Sequence, residues 1–166
     1  MAAKAFRCNV HYCKVKYFRI LNSILGKIDC KSSEHIITSL VSSFSLPVLL
    51  FGTETGFLSK HQQENLANAY NSIFMKIYGT FNKPIITLCQ FYSGYLPFKY
   101  LLDLRMMNFF HRLSFGYTNS VEILFGWFGR NELLSLFNNY GIAEHDYPNK
   151  WKSIMWTSFE TLCNNL

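Results

Sequence analysis

The tightest grouping of metal-ligating side chains in the sequence is Cys8, His11 and Cys13. Thiolate and imidazole ligands suit zinc, so the trio invites a metal reading. On a helix each residue turns about 100°, which points Cys8 and Cys13 some 140° apart, so they share an ion only if the helix unwinds. Buried or solvated side chains are the plainer reading. Two-metal phosphoryl chemistry needs clustered carboxylates. The three aspartates, Asp29, Asp103 and Asp146, each lack an adjoining acid. A G-x-S-x-G nucleophile elbow is absent. The glycine loops that cradle phosphates are absent too, and the nearest pair, Gly126 and Gly129, fits neither spacing. His61, His111 and His145 are isolated, and His111, among Phe109, Phe110 and Leu113, reads as a core or rim histidine. Phe125, Trp127 and Phe128 can stack bases or touch a membrane interface, with plain core or partner contact the simpler alternative. The expectation is therefore no cofactor, no metal and no complete active site.

Charge is the stronger signal. The 166 residues carry a net charge of +6. Residues 1–31 hold Lys4, Arg7, Lys14, Lys16, Arg19, Lys27 and Lys31 against Asp29 alone, while basic and acidic side chains balance over the rest. Such asymmetry points to an anionic partner at the first element: nucleic acid, with a membrane surface the weaker option. The bland alternative is the solvated face of an ordinary amphipathic helix.

The elements that must position these charges read as helices. Phe6, Val10, Cys13, Tyr17, Ile20, Leu21, Ile24 and Ile28 recur at spacings of three and four, which predicts an amphipathic helix over 4–28. Lys4, Arg7, His11, Lys14 and Asn22 fall opposite that stripe, and Arg19 flanks them. A second helix starts after Ser32 or Ser33, with Ile36, Ile37, Leu40, Val41 and Phe44 as its apolar face, and ends or bends at Pro47. Val48 to Phe51 fits a short strand or a further helical turn. A third helix has capping-box spacing at Ser59 and Gln62 and a stop at Gly79. Further helices are expected over 84–93, 97–115, 118–127, 130–139 and from Pro148 to about Cys163. No stretch shows sustained strand alternation. The fold class expected is all-α, an irregular bundle of six to eight helices with little or no sheet.

Bulk composition sets the remaining bounds. The chain is 49% hydrophobic, 17% aromatic and only 16% charged, against roughly 25% charged in an average globular chain. An unusually apolar surface, or a missing protein partner, follows from that balance. No segment reaches the ~18–20 apolar residues of a membrane span. Met1 to Arg7 lacks the apolar region of a signal peptide, so residence in cytoplasm or nucleus, not secretion, is expected. Five cysteines at irregular spacing argue against a disulfide framework.

One family resemblance can be put on particular residues. The run Lys16-Tyr17-Phe18-Arg19-Ile20-Leu21-Asn22-Ser23-Ile24-Leu25-Gly26-Lys27 resembles a segment that follows the palm in reverse transcriptases of non-LTR (LINE-type) retrotransposons. Leu46-Pro47-Val48-Leu49-Leu50-Phe51-Gly52-Thr53-Glu54 is similar to that family's P-x-L-L-Y-G-x-E signature, with Phe51 where tyrosine is usual. Asn71 to Tyr78, Leu88-Cys89-Gln90, Leu96-Pro97 and Asp103-Leu104-Arg105 follow in the family's order. The resemblance spans about residues 10–115 and leaves 116–166 unmatched. It implies a thumb and post-palm helical domain over 1–115 and a C-terminal helical extension over 116–166.

The departures are as informative. The family's fingers and palm lie upstream of the matching region, and its aromatic-x-Asp-Asp turn has no counterpart here. Neither its endonuclease domain nor its Cys/His knuckle is present. The resemblance thus implies a truncated, non-catalytic C-terminal part of an RNA-directed DNA polymerase from a mobile element. Its expected nucleic-acid contacts are Lys4, Arg7, His11, Lys14, Lys16 and Arg19, holding phosphates weakly and without reading sequence. The alternative is a helical protein-interaction module, or an inert remnant, whose apolar surface met another protein.

Overall fold

The computed structural model describes residues 10–28, 32–54, 58–114, 126, 129–144 and 146–165. Among these residues there are eight helices and no strand, so the fold is all-α. The helices are α1 (Val10–Lys27), α2 (Glu34–Phe44), α3 (Leu46–Leu49), α4 (Lys60–Tyr78), α5 (Lys83–Tyr92), α6 (Phe98–Ser114), α7 (Arg130–Tyr140) and α8 (Pro148–Cys163). The helix expected over 118–127 lies outside the described residues except for Gly126, and residues 4–9 of the first one lie outside them too.

Local chemistry accounts for the helix ends. At the start of α4, Gln62 N donates to Ser59 Oγ (3.3 Å) and Ser59 N donates to Gln62 Oε1 (2.9 Å), closing the capping box. Two of the helix's orphan N–H groups are thereby satisfied. Gly79 ends α4 at φ 63° and Gly141 ends α7 at φ 65°, left-handed conformations that glycine adopts without a Cβ penalty. Proline takes helix-opening positions, where its missing N–H costs nothing: Pro47 in α3, Pro84 in α5 and Pro148 in α8, with Pro97 directly before α6.

The chain forms two compact units, Met1–Lys99 and Tyr100–Leu166. That division falls ahead of the boundary between 115 and 116 that the family resemblance implies. In the first unit α1 packs against α2, α3 and α4, and α4 packs against α5. The core comprises Tyr17 and Leu21 of α1, Val41 of α2, Leu49 of α3, and Leu66, Tyr70, Ile73 and Phe74 of α4. Each buried large apolar side chain contributes roughly 1.5–3 kcal/mol. Tyr70 donates to Leu96 O (3.0 Å), pinning the segment after α5 onto α4.

The second unit is built on Met107 of α6, Leu133, Leu136 and Phe137 of α7, Ile142, and Trp151 and Met155 of α8. Trp151 is fully buried and donates through Nε1 to Asp146 O (3.1 Å). His111 meets the Trp151 ring edge-on at 5.2 Å, the rim position its apolar neighbours suggested. Tyr140 donates to Asp103 Oδ2 (2.5 Å), tying α7 to α6.

One face departs from expectation. In α2 the buried residues are Thr38 and Val41, with Ser45 buried just beyond, whereas Ile36 and Phe44 are 52% and 61% exposed. Successive residues turn about 100°, so five apolar residues cover a wider arc than one packing contact buries. Ile36 lies at one edge of that arc and Phe44 near its middle, while the buried Thr38, Val41 and Ser45 lie at and beyond its other edge. Val48 to Phe51, open between strand and helix on sequence, is the end of α3 and the turn after it.

Candidate nucleic-acid interface

Helix α1 contains no acidic side chain and is docked by one side only. Val10, Cys13, Tyr17 and Leu21 are its buried line. Cys13 Sγ also reaches Phe51 O at 3.9 Å, so the turn after α3 braces the first part of α1. His11, Lys16, Arg19 and Lys27 are exposed, and Lys14 is half-buried. Among the described residues, Lys14, Lys16, Arg19 and Lys27 take part in no ion pair. Lys4 and Arg7 lie outside the described residues.

The six expected contacts do not form one stripe. At about 100° per residue, Tyr12, Lys16, Arg19, Ser23 and Lys27 share an arc about 80° wide. All five are exposed. Lys14 lies about 160° from Lys16 and only about 20° from the line of buried Leu21. That explains its half-burial and corrects the reading that set it opposite the apolar stripe. His11 and Asn22 lie between the two edges. The four described residues of the set are thus divided: Lys16 and Arg19 lie together, Lys14 stands on the far flank, and His11 lies between.

Two contacts add to the α1 surface. Lys16 Nζ sits 4.5 Å from the centroid of the Tyr12 ring, a cation–π pair one turn apart. Lys76 of α4 donates to Asn22 Oδ1 at 3.0 Å and is itself exposed, so it brings a cation from another helix to the α1 surface. Sequence reasoning missed Lys76, because the pair is 54 residues apart and no local pattern links them. Lys27, at the C-terminal turn of α1, was counted in the net charge but not in the site; a cation there is also favoured by the helix dipole.

Elsewhere the chemistry is sparse. Among the described residues no three His, Cys, Asp or Glu side chains are placed to hold a metal ion. Cys8, Cys30, Asp29, His145 and the Phe125, Trp127, Phe128 cluster lie outside those residues. His61 is exposed and His111 is half-buried. Burial pushes the Cys89 thiol above its ordinary range, with the nearby Glu34 carboxylate adding to the shift, so the unreactive thiol form is favoured. Burial also raises the Tyr17, Tyr70 and Tyr140 phenols. Among the described residues no helix is long and apolar enough to cross a membrane. In comparisons with known proteins, no family model, no curated protein and no solved structure matches the chain.

Proposed function

We propose that this chain is a non-catalytic helical module equivalent to the thumb and post-palm part of a LINE-type reverse transcriptase, binding nucleic-acid backbone weakly through α1. The observation that carries the proposal is the outward side of α1. A helix without a single acid is anchored by Val10, Cys13, Tyr17 and Leu21, leaving Lys16, Arg19 and Lys27 turned to solvent. Packing gives no reason for that many cations. Phosphate contact does, and it would position nucleic-acid backbone without reading bases.

Most of the segments that carry the family resemblance also support it, because they lie within the first unit, with Asp103-Leu104-Arg105 alone in the second. The P-x-L-L-F-G-x-E stretch forms α3 and its turn, packed on α1. Gln90 of the Leu88-Cys89-Gln90 segment donates through Nε2 to Oδ1 of Asn71, the first residue of the Asn71 to Tyr78 segment, at 2.8 Å. Residues that recur together in a resemblance are here in contact. A second reading has its own observation. Ile85 and Tyr92 are 45% and 83% exposed along one side of α5, and Phe81 just ahead of the helix is 84% exposed, as a protein-interaction module would present them.

The test compares the parent chain with a Lys16→Gln, Arg19→Gln, Lys27→Gln variant in binding to mixed-sequence oligonucleotides. Glutamine keeps helicity, being a good helix former. The variant should bind more weakly and by the same factor for every sequence. Equal binding by variant and parent would leave the face a solvated one and favour the interaction-module reading.

A further inference from the structure

The exposed edge of α1 carries an aromatic ring among its cations, which phosphate contact alone does not call for. Tyr12 is 55% exposed, one turn from Lys16 and on the same arc as Arg19, Ser23 and Lys27. Lys16 Nζ lies over its ring. From Tyr12 to Lys27 the edge runs about 22 Å, the axial length of about six stacked nucleotides on one strand.

We propose that this edge takes an unpaired nucleic-acid strand in preference to a duplex, with a base stacked on Tyr12 and the neighbouring phosphates on Lys16, Arg19 and Lys27. The inference rests on the nucleic-acid reading of α1 and adds the kind of nucleic acid. In a duplex the base faces are already stacked on one another, and only phosphates and groove edges meet a helix lying on the surface. In a single strand each base offers a face, and aromatic side chains interleaved with cations are what such a strand binds. An exposed cation–π contact is weaker than base–aromatic stacking. A base arriving at Tyr12 therefore displaces the Lys16 ammonium from the ring. The ammonium stays within a side chain's length, where the phosphate next to that base receives it. The Tyr12–Lys16 pair holds both groups in place before binding, and Ser23 adds a hydroxyl donor between Arg19 and Lys27.

The test measures fluorescence anisotropy of one labelled mixed-sequence oligonucleotide, single-stranded or annealed to its complement, with the full chain. The single strand should bind more tightly. Tyr12→Ala should weaken single-strand binding about five- to tenfold, the low end of stacking losses as suits an exposed ring, and leave duplex binding unchanged. Tyr12→Phe should keep the parent's preference. Circular dichroism of the variants should match the parent, since the ring is exposed and alanine favours helix. Salt-dependent binding that Tyr12→Ala leaves intact, or weakens equally for both forms, would overturn this inference and leave the phosphate-binding role standing. No binding to either form by the parent would overturn both.

Discussion

The hydroxyl of Tyr17 should be a net cost to the fold, and its removal should stabilise the chain. Tyr17 is completely buried, and its Oη has no hydrogen-bond partner among the described residues. Ser72 stands beside it and donates its own hydroxyl to Ala69 O at 2.7 Å; its lone pairs could accept from Tyr17, but no well-formed bond joins the two side chains. An unsatisfied buried hydroxyl costs about 1–3 kcal/mol. Tyr17→Phe recovers part of that. The opposing term is small: the void left by one hydroxyl oxygen, roughly 10–15 Å³, is worth only about 0.2–0.4 kcal/mol at roughly 24 cal/mol per Å³. The expected net is a gain of about 1 kcal/mol. Tyr70→Phe makes the contrast, because its hydroxyl donates to Leu96 O and its loss leaves a carbonyl unsatisfied. That variant should lose about 1–2 kcal/mol. Urea unfolding followed by far-ultraviolet circular dichroism should move the two midpoints in opposite directions. With slopes of about 1–3 kcal/mol per molar urea, each shift is roughly 0.3–2 M. Destabilisation by Tyr17→Phe of about 1 kcal/mol or more would mean the hydroxyl has a partner, such as a bound water, and would refute the reasoning.

Two further outcomes follow from the same contacts. Tyr17 and Tyr70 both ionise well above the ordinary value of 10.0 when folded, chiefly through burial. A raised phenol holds its proton in the folded state while the unfolded chain loses it, so the contribution of these two tyrosines to stability should be flat below about pH 10 and fall above it. The fall should be about 1.4 kcal/mol per buried tyrosine by pH 11 in urea titrations, and Tyr17→Phe should remove one share of it. Ser59→Ala should open the capping box of α4 and cost about 0.5–2 kcal/mol by thermal or urea unfolding, whereas replacing an exposed serine such as Ser23 should change stability little.

Helix ends were legible because their signals are local. Ser59, Gln62 and Gly79 bound α4 as their types demand, and each proline sits where a missing N–H is harmless. Which face each helix buries was legible only where the apolar stripe is narrow. In α1 the line Val10, Cys13, Tyr17, Leu21 is the buried one, and within the described residues it follows from period alone. In α2 the apolar arc is too wide for its period to choose, and contacts with other helices decide that Thr38 and Ser45 go inward while Ile36 and Phe44 stay out. The basic helix was visible as a concentration of charge. Its division into a Lys16–Arg19–Lys27 edge and a lone Lys14 depends on the exact direction of the buried line. Lys76 entered the surface through a contact with Asn22 that only the packing of α4 on α1 creates. The Tyr12–Lys16 pair is local, one turn apart, and was readable in principle; attention to charge alone passed over it.

The most direct test of the account is the salt dependence of binding by the unmodified chain. Affinity for a mixed-sequence oligonucleotide should be measured by anisotropy over a series of salt concentrations. Each phosphate neutralised contributes about −0.9 to the slope of log K against log salt on duplex, so three to five contacts give roughly −3 to −4.5. Affinity should lie on the order of 10⁻⁴–10⁻⁶ M, as for non-specific binding generally, and should not vary with sequence. A slope near zero, or no binding at low salt, would contradict a phosphate-binding role for α1.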